Sequence, residues 1–155
     1  MKKKITLSIS RVFPLKTSRR GELTGFDEKI INGTKKHIIR RNLDIWKLNE
    51  ERMKSGNYYI SICQWAGKPY SSQHVEVARL NIPITVQPAT ISYHADTDSV
   101  SAKIDDKEFF DADCFSIAQN EGLSISEFKE WFFGQNPSAD KTFHGGIVHF
   151  TNLKY

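Results

Sequence analysis

The sequence reads Gly33-Thr-Lys-Lys-His-Ile-Ile-Arg-Arg-Asn42 at the point where a helix-like segment, residues 25–32, gives way to a short strand. Gly33 stands where a left-handed residue ends a helix, because glycine reaches positive φ without a Cβ clash. The residues after it are β-branched and rich in cations, including Lys35, Arg40 and Arg41. Such a segment is either an edge strand whose lysines face water and block aggregation, or a surface that binds an anionic partner.

On both sides of this stretch, apolar residues alternate as in half-buried strands, and short helical patterns lie between them. Besides the central strand, strands are predicted over residues 4–9, 58–64, 74–80, 82–86, 90–93, 100–104 and 146–153. This order of elements predicts an α+β fold built on a small barrel or sheet. The length fits a single domain over residues 1–155.

Capping residues predict where the helices begin. Thr24 with Asp27 indicates a capping box for the first helix, and Asn42 an N-cap for a helix over residues 43–54. Ser124 opens a clear capping box for a helix that stops at Gly134.

Two further helical predictions concern side chains. Asp111 or Asp113 is expected to cap a helix that runs through residue 120. In the helix over residues 43–54, Trp46 and Met53 are predicted to face the core, and Glu50 is predicted to face water.

The composition sets limits on the function. The chain has 22 Lys and Arg against 18 Asp and Glu, and this net charge of +4 permits an anionic partner without requiring one. Arg11 interrupts the short apolar run near the start, so we expect no secretory signal and no membrane span, and a cytoplasmic location. Cys63 and Cys114 are expected to be buried thiols rather than a disulfide. No cofactor is indicated.

A second informative position is Glu121, in the turn between two predicted late helices. The backbone there lies at the carbonyl end of a helix, where the macrodipole disfavours negative charge. A carboxyl group in that place is expected to have a raised pKa unless a cation lies beside it. Such a group transfers protons near neutral pH. The alternative is an exposed glutamate before a glycine turn.

Three motifs occur in order: Gly33-x-Lys35-x-x-x-x-Arg40, Ala118-x-x-Glu121-Gly-Leu-Ser124-x-x-x-Phe128 and Ile147-Val-His-Phe150. Together they resemble the ASCH domain over nearly the whole chain, and similar small ASCH proteins occur in mobile elements of gut bacteria. The resemblance implies a PUA-like β-barrel of about five to seven strands with short flanking helices, and it implies RNA binding. Under this resemblance, residues 94–109 are expected to be a family-variable insertion.

The resemblance also implies one possible enzyme activity. Some small bacterial ASCH proteins are amidohydrolases that remove the acetyl group from N4-acetylcytidine, using a lysine, a threonine three residues later, and a glutamate in the late helical turn. The lysine corresponds to Lys35 and the glutamate to Glu121, but the threonine position holds Ile38, which has no hydroxyl. An activated water or Thr34 would have to supply the nucleophile, with Lys35 as the base and Arg40 steadying negative charge.

The binding interpretation requires less of the residues, and it is the leading one. Lys35, Arg40 and Arg41, with Glu121 beside them and helped by Arg19 and Arg20 of the basic loop over residues 11–23, form a predicted cationic pocket. Its donors suit a phosphate or the polar edge of a nucleobase. The predicted partner is therefore RNA or a modified nucleoside.

Two aromatic residues are predicted to complete the pocket. Trp65 and Tyr70 flank the turn at residues 67–69 and could offer a face on which a base stacks. Trp65 also fits the alternative of a core aromatic at the end of a strand.

Ribonuclease activity is the third interpretation, because some ASCH proteins have been suggested to possess it. The chain has 5 histidines, but none forms a ligand pair at helical spacing. His144 and His149 are expected to point to opposite faces of a strand, so no metal site is predicted.

Overall fold

The computed structural model describes all 155 residues. In chain order the elements are β1 (Lys3–Ser8), α1 (Phe26–Ile31), β2 (His37–Arg40), α2 (Leu43–Lys54), β3 (Tyr58–Trp65), β4 (His74–Leu80), β5 (Thr85–His94), β6 (Ser99–Ile104), β7 (Lys107–Phe110), α3 (Cys114–Asn120), α4 (Ile125–Phe133) and β8 (Lys141–His149). A short 3-10 turn, Asp111–Asp113, leads into α3. The predicted α+β class is confirmed.

The strands form two sheets rather than one closed barrel. The larger sheet has the order β2-β8-β5-β6-β7, and the smaller one has the order β1-β3-β4. β1 pairs with β3 in parallel, and every other pair is antiparallel. No ladder closes the sheets on each other, and the strands outnumber the predicted five to seven.

β5 runs unbroken through a proline that separated two predicted strands. Pro88 pairs with Gly146 of β8, and the β5–β6 ladder begins one residue later, at Ala89. The Pro88 carbonyl accepts a hydrogen bond from Asp105 N at 3.0 Å, beyond the last residue of β6. Since the N–H and C=O of a strand residue point to the same side, the N–H that Pro88 lacks would face β6, and the β5–β8 ladder loses no bond.

Residues 94–109 belong to the larger sheet. They include all of β6 and most of β7, and the apolar face of β6 places Val100, Ala102 and Ile104 in the core. This segment is therefore an integral sheet edge. Its variability within a family remains a prediction.

The capping predictions are confirmed for the two helices whose N-cap side chain bonds to the backbone three residues later. Asn42 Oδ1 accepts from Ile45 N at 3.2 Å, and Ser124 forms the full capping box with Glu127. Asp113 makes no side-chain cap on α3.

The prediction at the start of α1 is wrong. Thr24 forms no capping box there, because Gly25 is the N-cap and Thr24 lies one residue too early. The Thr24 hydroxyl accepts from Phe26 N at 3.3 Å and donates to Ser10 O at 2.7 Å, which links the loop to the end of β1.

The prediction that Glu50 faces water is also wrong. Trp46 and Met53 are buried as expected, but Glu50 is only 8% exposed. Its Oε2 accepts a hydrogen bond from Val86 N at 2.5 Å, because α2 packs across the start of β5. A buried carboxylate is tolerated where a backbone donor satisfies it.

β8 is the central partner of β2, the strand that carries His37 and Arg40. It begins at Lys141, not at residue 146 as predicted, and it lies between β2 and β5. Its register places Arg40 opposite Gly146, so β8 extends beyond the end of β2.

Cys63 and Cys114 are free and buried, as expected. None of the helices has the length and apolar character that crossing a bilayer requires.

Candidate functional site

β2 is held at the edge of the larger sheet by contacts on both sides. Its backbone pairs with β8, while Lys36 N donates to Asn120 O at 2.7 Å and Phe150 N donates to Lys36 O at 3.0 Å. The strand is thus an edge strand in topology, but the turn after α3 covers it.

Lys35 and Glu121 meet in the interior. Lys35 Nζ lies 3.3 Å from Glu121 Oε1 and donates to the Glu121 carbonyl oxygen at 2.6 Å. The two side chains are 1% and 6% exposed. The Lys35 ammonium also lies 4.3 Å from the centre of the Phe26 ring. The interpretation of Lys35 as a solvated edge lysine is therefore wrong, and Lys35 is not an exposed part of a cationic pocket.

The carboxylate of Glu121 has two further partners, both on β2. Its Oε1 accepts from Ile39 N at 3.1 Å, and its Oε2 lies 2.7 Å from His37 Nδ1. His37 Nε2 in turn lies 2.7 Å from the Tyr155 hydroxyl, which accepts from Asn120 Nδ2 at 2.9 Å. No buried side-chain nitrogen or oxygen of this chain of contacts lacks a partner.

Burial and neighbouring charge fix the protonation of this cluster. Burial lowers the pKa of Lys35 to about 8, although Glu121 opposes that shift. Burial alone would raise the pKa of Glu121, but Lys35 and the hydrogen bond from His37 lower it overall. The sequence predicted a raised pKa for Glu121 unless a cation lay beside it, and Lys35 is that cation.

The two histidine nitrogens can be assigned from these partners. Burial lowers the pKa of His37, so the ring is neutral near neutral pH. An ionised carboxylate only accepts, so Nδ1 of His37 carries the proton and donates to Glu121. Nε2 then accepts from the hydroxyl of Tyr155, whose pKa is raised to about 12 by burial and which therefore stays protonated.

Arg40, Trp65 and Tyr70 come together in a different place, on an open cavity of about 430 Å³. The rest of its lining comes from the end of β1, the loop after it and the turn at residues 67–69. Arg11 also lines it, and no Asp or Glu does. Lys35 and Glu121 are absent from this lining, so the predicted site residues divide into a buried cluster and an open cavity.

Arg40 is the residue that connects the two groups. Burial lowers the pKa of its guanidinium, and the charge of Glu121 partly offsets this shift. Arg40 in turn contributes to the lowered pKa of Lys35. Yet Arg40 forms no ion pair within 4.0 Å and no side-chain hydrogen bond to the protein. A half-buried guanidinium without an acceptor is a group that a ligand can satisfy.

The two aromatic residues differ in how freely they are presented. The Trp65 ring stacks on His74, with centroids 4.2 Å apart, and Tyr70 leans on it at 5.1 Å. One face of Trp65 is thus occupied inside the protein. Tyr70 is 89% exposed, so its ring offers the more accessible stacking surface.

Arg41 lines a second, smaller cavity of about 200 Å³. Arg40 lines both this cavity and the larger one that contains Trp65 and Tyr70. Lys16 completes the cationic lining, and Trp131, Phe132 and Phe143 supply aromatic walls. The guanidinium of Arg41 lies over the Phe143 ring at 4.7 Å from its centre. The basic loop therefore contributes Lys16, whereas Arg19 is engaged by Glu127 and Glu22.

The positions that would supply a nucleophile do not reach Lys35 and Glu121. Ile38 is buried in the hydrophobic core. Thr34 is exposed on a separate cavity beside α1 and the turn after α3. Neither residue brings a hydroxyl to the buried cluster.

Sequence reasoning missed His37, Tyr155 and Lys16. Lys35, just before β2, and His37, its first residue, are two positions apart, and this spacing was the available signal for a shared buried side. Tyr155 lies 118 residues from His37 along the chain, and no local pattern predicts their contact. No group of three His, Cys, Asp or Glu side chains is arranged to hold a metal ion.

Comparison of the chain with protein-family models, curated proteins and solved structures yields no match. We therefore infer function from the geometry of these residues.

Proposed function

We propose that the protein is an ASCH-type module that binds RNA or a modified nucleoside in the cavity shared by Arg40, Trp65 and Tyr70. The observation that carries this proposal is Arg40, a half-buried residue that lines the cavity and whose guanidinium has no carboxylate partner within 4.0 Å. The three motifs that resemble the ASCH domain support the same assignment, and with it a PUA-like relationship for the two sheets.

The cavity has the chemistry that a nucleobase requires. Arg40 and Arg11 present planar donors to carbonyl oxygens, ring nitrogens or phosphate, with no acid in the lining to compete. Tyr70 offers an exposed ring, and stacking of a base on such a ring contributes about 1–3 kcal/mol. Base recognition by stacking is typical of single-stranded RNA, whose bases are accessible.

In this proposal Lys35 and Glu121 position the site rather than contact the ligand. Glu121 accepts from Ile39 N, directly before Arg40, and Lys35 and His37 hold Glu121 in place. This cluster fixes the end of β2 and therefore the backbone from which Arg40 projects.

The test is fluorescence anisotropy with a labelled single-stranded RNA of about 12 nucleotides. Tyr70→Ala and Arg40→Gln are each expected to weaken binding by about 5-fold to 150-fold, the equivalent of one lost stack or one lost charged hydrogen bond. Tyr70→Phe should bind as the parent does, since it retains the ring. Lys2→Gln removes an exposed cation at the opposite end of β1 and should also leave binding unchanged. Parental affinity in both Tyr70→Ala and Arg40→Gln would refute the proposal.

A second candidate is hydrolysis of an N4-acylated cytidine, and one observation favours it. Lys35 Nζ lies 3.3 Å from Glu121 Oε1, and the lowered pKa of Lys35, about 8, is that of a usable base. Near-complete burial of both side chains and the apolar side chain of Ile38 weigh against it.

Incubation with N4-acetylcytidine, followed by chromatography for free cytidine, tests this candidate. Release that disappears in folded Lys35→Met and Glu121→Gln variants would favour the enzyme, whereas no release by the parent would exclude it. Incubating the labelled RNA with and without a chelator, and following its length on a gel, tests ribonuclease activity in the same preparation.

A further inference from the structure

A second, smaller cavity adjoins the proposed base site and has an unusual charge. Lys16, Arg40 and Arg41 line it, and none of its lining residues is acidic. The cavities around Lys29, Lys103 and Lys107, by contrast, each include at least one carboxylate.

No carboxylate forms an ion pair with the cations of this cavity. Lys16 and Arg41 form no ion pair within 4.0 Å, and Lys16 donates only to the Phe132 carbonyl oxygen, at 3.3 Å. On the neighbouring turn of α4, the carboxylate of Glu130 accepts two hydrogen bonds from Ser18, both at 2.8 Å. That carboxylate is therefore already engaged.

The fold brings these cations together despite their repulsion. β8 continues past the end of β2, so Arg41 covers Phe143 and the exposed Lys141 begins the same strand. The pKa of Lys16 is lowered by burial and by the charges of Arg41 and Lys141. An anion in the cavity would relieve this repulsion.

We infer that this cavity binds a phosphate group, so that the ligand of the base site is a nucleotide or an RNA strand rather than a free nucleoside. The inference rests on the proposed function, because Arg40 lines both cavities and joins the base site to the phosphate site. Arg41 and Arg40 can present paired N–H donors to phosphate oxygens, and Lys16 adds a point charge.

Isothermal titration calorimetry of each common ribonucleoside against its 5′-monophosphate, with inorganic phosphate alone as a further ligand, tests the inference. At least one nucleotide is expected to bind about tenfold or more tightly than its nucleoside. Lys16→Gln and Arg41→Gln should erase that difference while leaving nucleoside binding intact. Both side chains are exposed, and a melting curve verifies folding. Lys2→Gln is the matched control.

The outcomes separate the two proposals. Equal binding of nucleoside and nucleotide, insensitive to Lys16→Gln and Arg41→Gln but weakened by Tyr70→Ala, would overturn the phosphate site and leave the base site standing. Inorganic phosphate binding as tightly as every nucleotide would overturn the nucleotide assignment. Absence of binding by any base-bearing ligand, RNA included, would overturn the proposed function itself.

Titration of RNA affinity against salt gives an independent readout. Each cation that contacts a phosphate of single-stranded RNA steepens the dependence of log K on log salt by about 0.7. Lys16→Gln and Arg41→Gln should each reduce the slope by about that amount, whereas Tyr70→Ala should lower affinity at constant slope. Unchanged slopes in both cation variants would contradict phosphate contact.

Discussion

Replacement of Lys35 by methionine is expected to lower the free energy of unfolding by about 3–5 kcal/mol, because it leaves a buried carboxylate without its cation. Glu121 would keep the hydrogen bonds from His37 and Ile39 N, but it would lose the ammonium 3.3 Å away. The Glu121 carbonyl oxygen would also lose its donor at 2.6 Å, a loss of about 1 kcal/mol within that total. Methionine is close to the lysine side chain in length, so no large cavity is added.

Urea-induced unfolding followed by tryptophan fluorescence measures this change, with the slope of free energy against urea as the check on two-state behaviour. Lys36→Met is the matched control, because the Lys36 side chain forms no ion pair, and it should change stability by less than about 0.5 kcal/mol. The double variant Lys35→Met with Glu121→Gln should lose much less than the sum of the two single changes, since it removes both buried charges.

The pH dependence of the parent provides a second check on Lys35. Its pKa in the folded protein, about 8, lies below the ordinary value of 10.5, so the unfolded chain binds more protons between these values. The free energy of unfolding should therefore rise with pH across that window, because the neutral amine no longer carries a buried charge but still donates hydrogen bonds to Glu121; Lys35→Met, which has no donor, should remove the rise. A loss below about 1 kcal/mol in Lys35→Met, together with weakened RNA binding, would refute the buried pair and return Lys35 to the surface.

Three further predictions concern other parts of the fold. Burial lowers the pKa of His149 from 6.5 to about 4, so the unfolded chain takes up this proton at a higher pH than the folded protein does. The free energy of unfolding should therefore fall by up to about 3 kcal/mol as the pH drops from 6.5 to 4. His149→Gln should flatten this part of a plot of urea midpoint against pH. Glu50→Ala should lower the free energy of unfolding, measured with urea, by about 1–3 kcal/mol, because the buried N–H of Val86 loses its acceptor. Glu51→Ala, on the exposed face of the same helix, should lower it by less than about 0.5 kcal/mol. Gly145→Ala would place a Cβ 2.2 Å from the Arg40 carbonyl oxygen, so it should lose about 1–3 kcal/mol of stability and also weaken RNA binding measured by anisotropy.

The parts of the fold that sequence predicted well are those determined locally. Asn42 and Ser124 cap their helices through bonds to residues three positions away, and such short-range geometry is written in adjacent residues. The α+β class follows equally from alternating apolar patterns. Two open sheets were not distinguished from a barrel, because that difference depends on which strand edges pair and not on the pattern within each strand.

The candidate site was predicted in its residue types but not in its arrangement. Lys35 and Glu121 were matched to each other through motifs, and they do meet, but charge counting placed Lys35 at the surface. A lysine is ordinarily exposed, and only the tertiary contacts with Glu121 and Phe26 make its burial tolerable. The contact of His37 with Tyr155 could not be anticipated, because nothing local relates them.

The buried cluster also explains why Arg40 remains available to a ligand. The charge of the Glu121 carboxylate acts on Arg40. The two oxygens of that carboxylate, however, already accept hydrogen bonds from Ile39 N and His37 Nδ1. The ammonium of Lys35, 3.3 Å away, balances the carboxylate charge. Within the cluster, one positive and one negative charge therefore cancel at close range. The charge that remains directed towards the open cavities is that of Arg40 itself, reinforced by the other cations of their lining. A buried ion pair of zero net charge behind an unpaired guanidinium favours an anionic or acceptor-rich ligand over a cationic one.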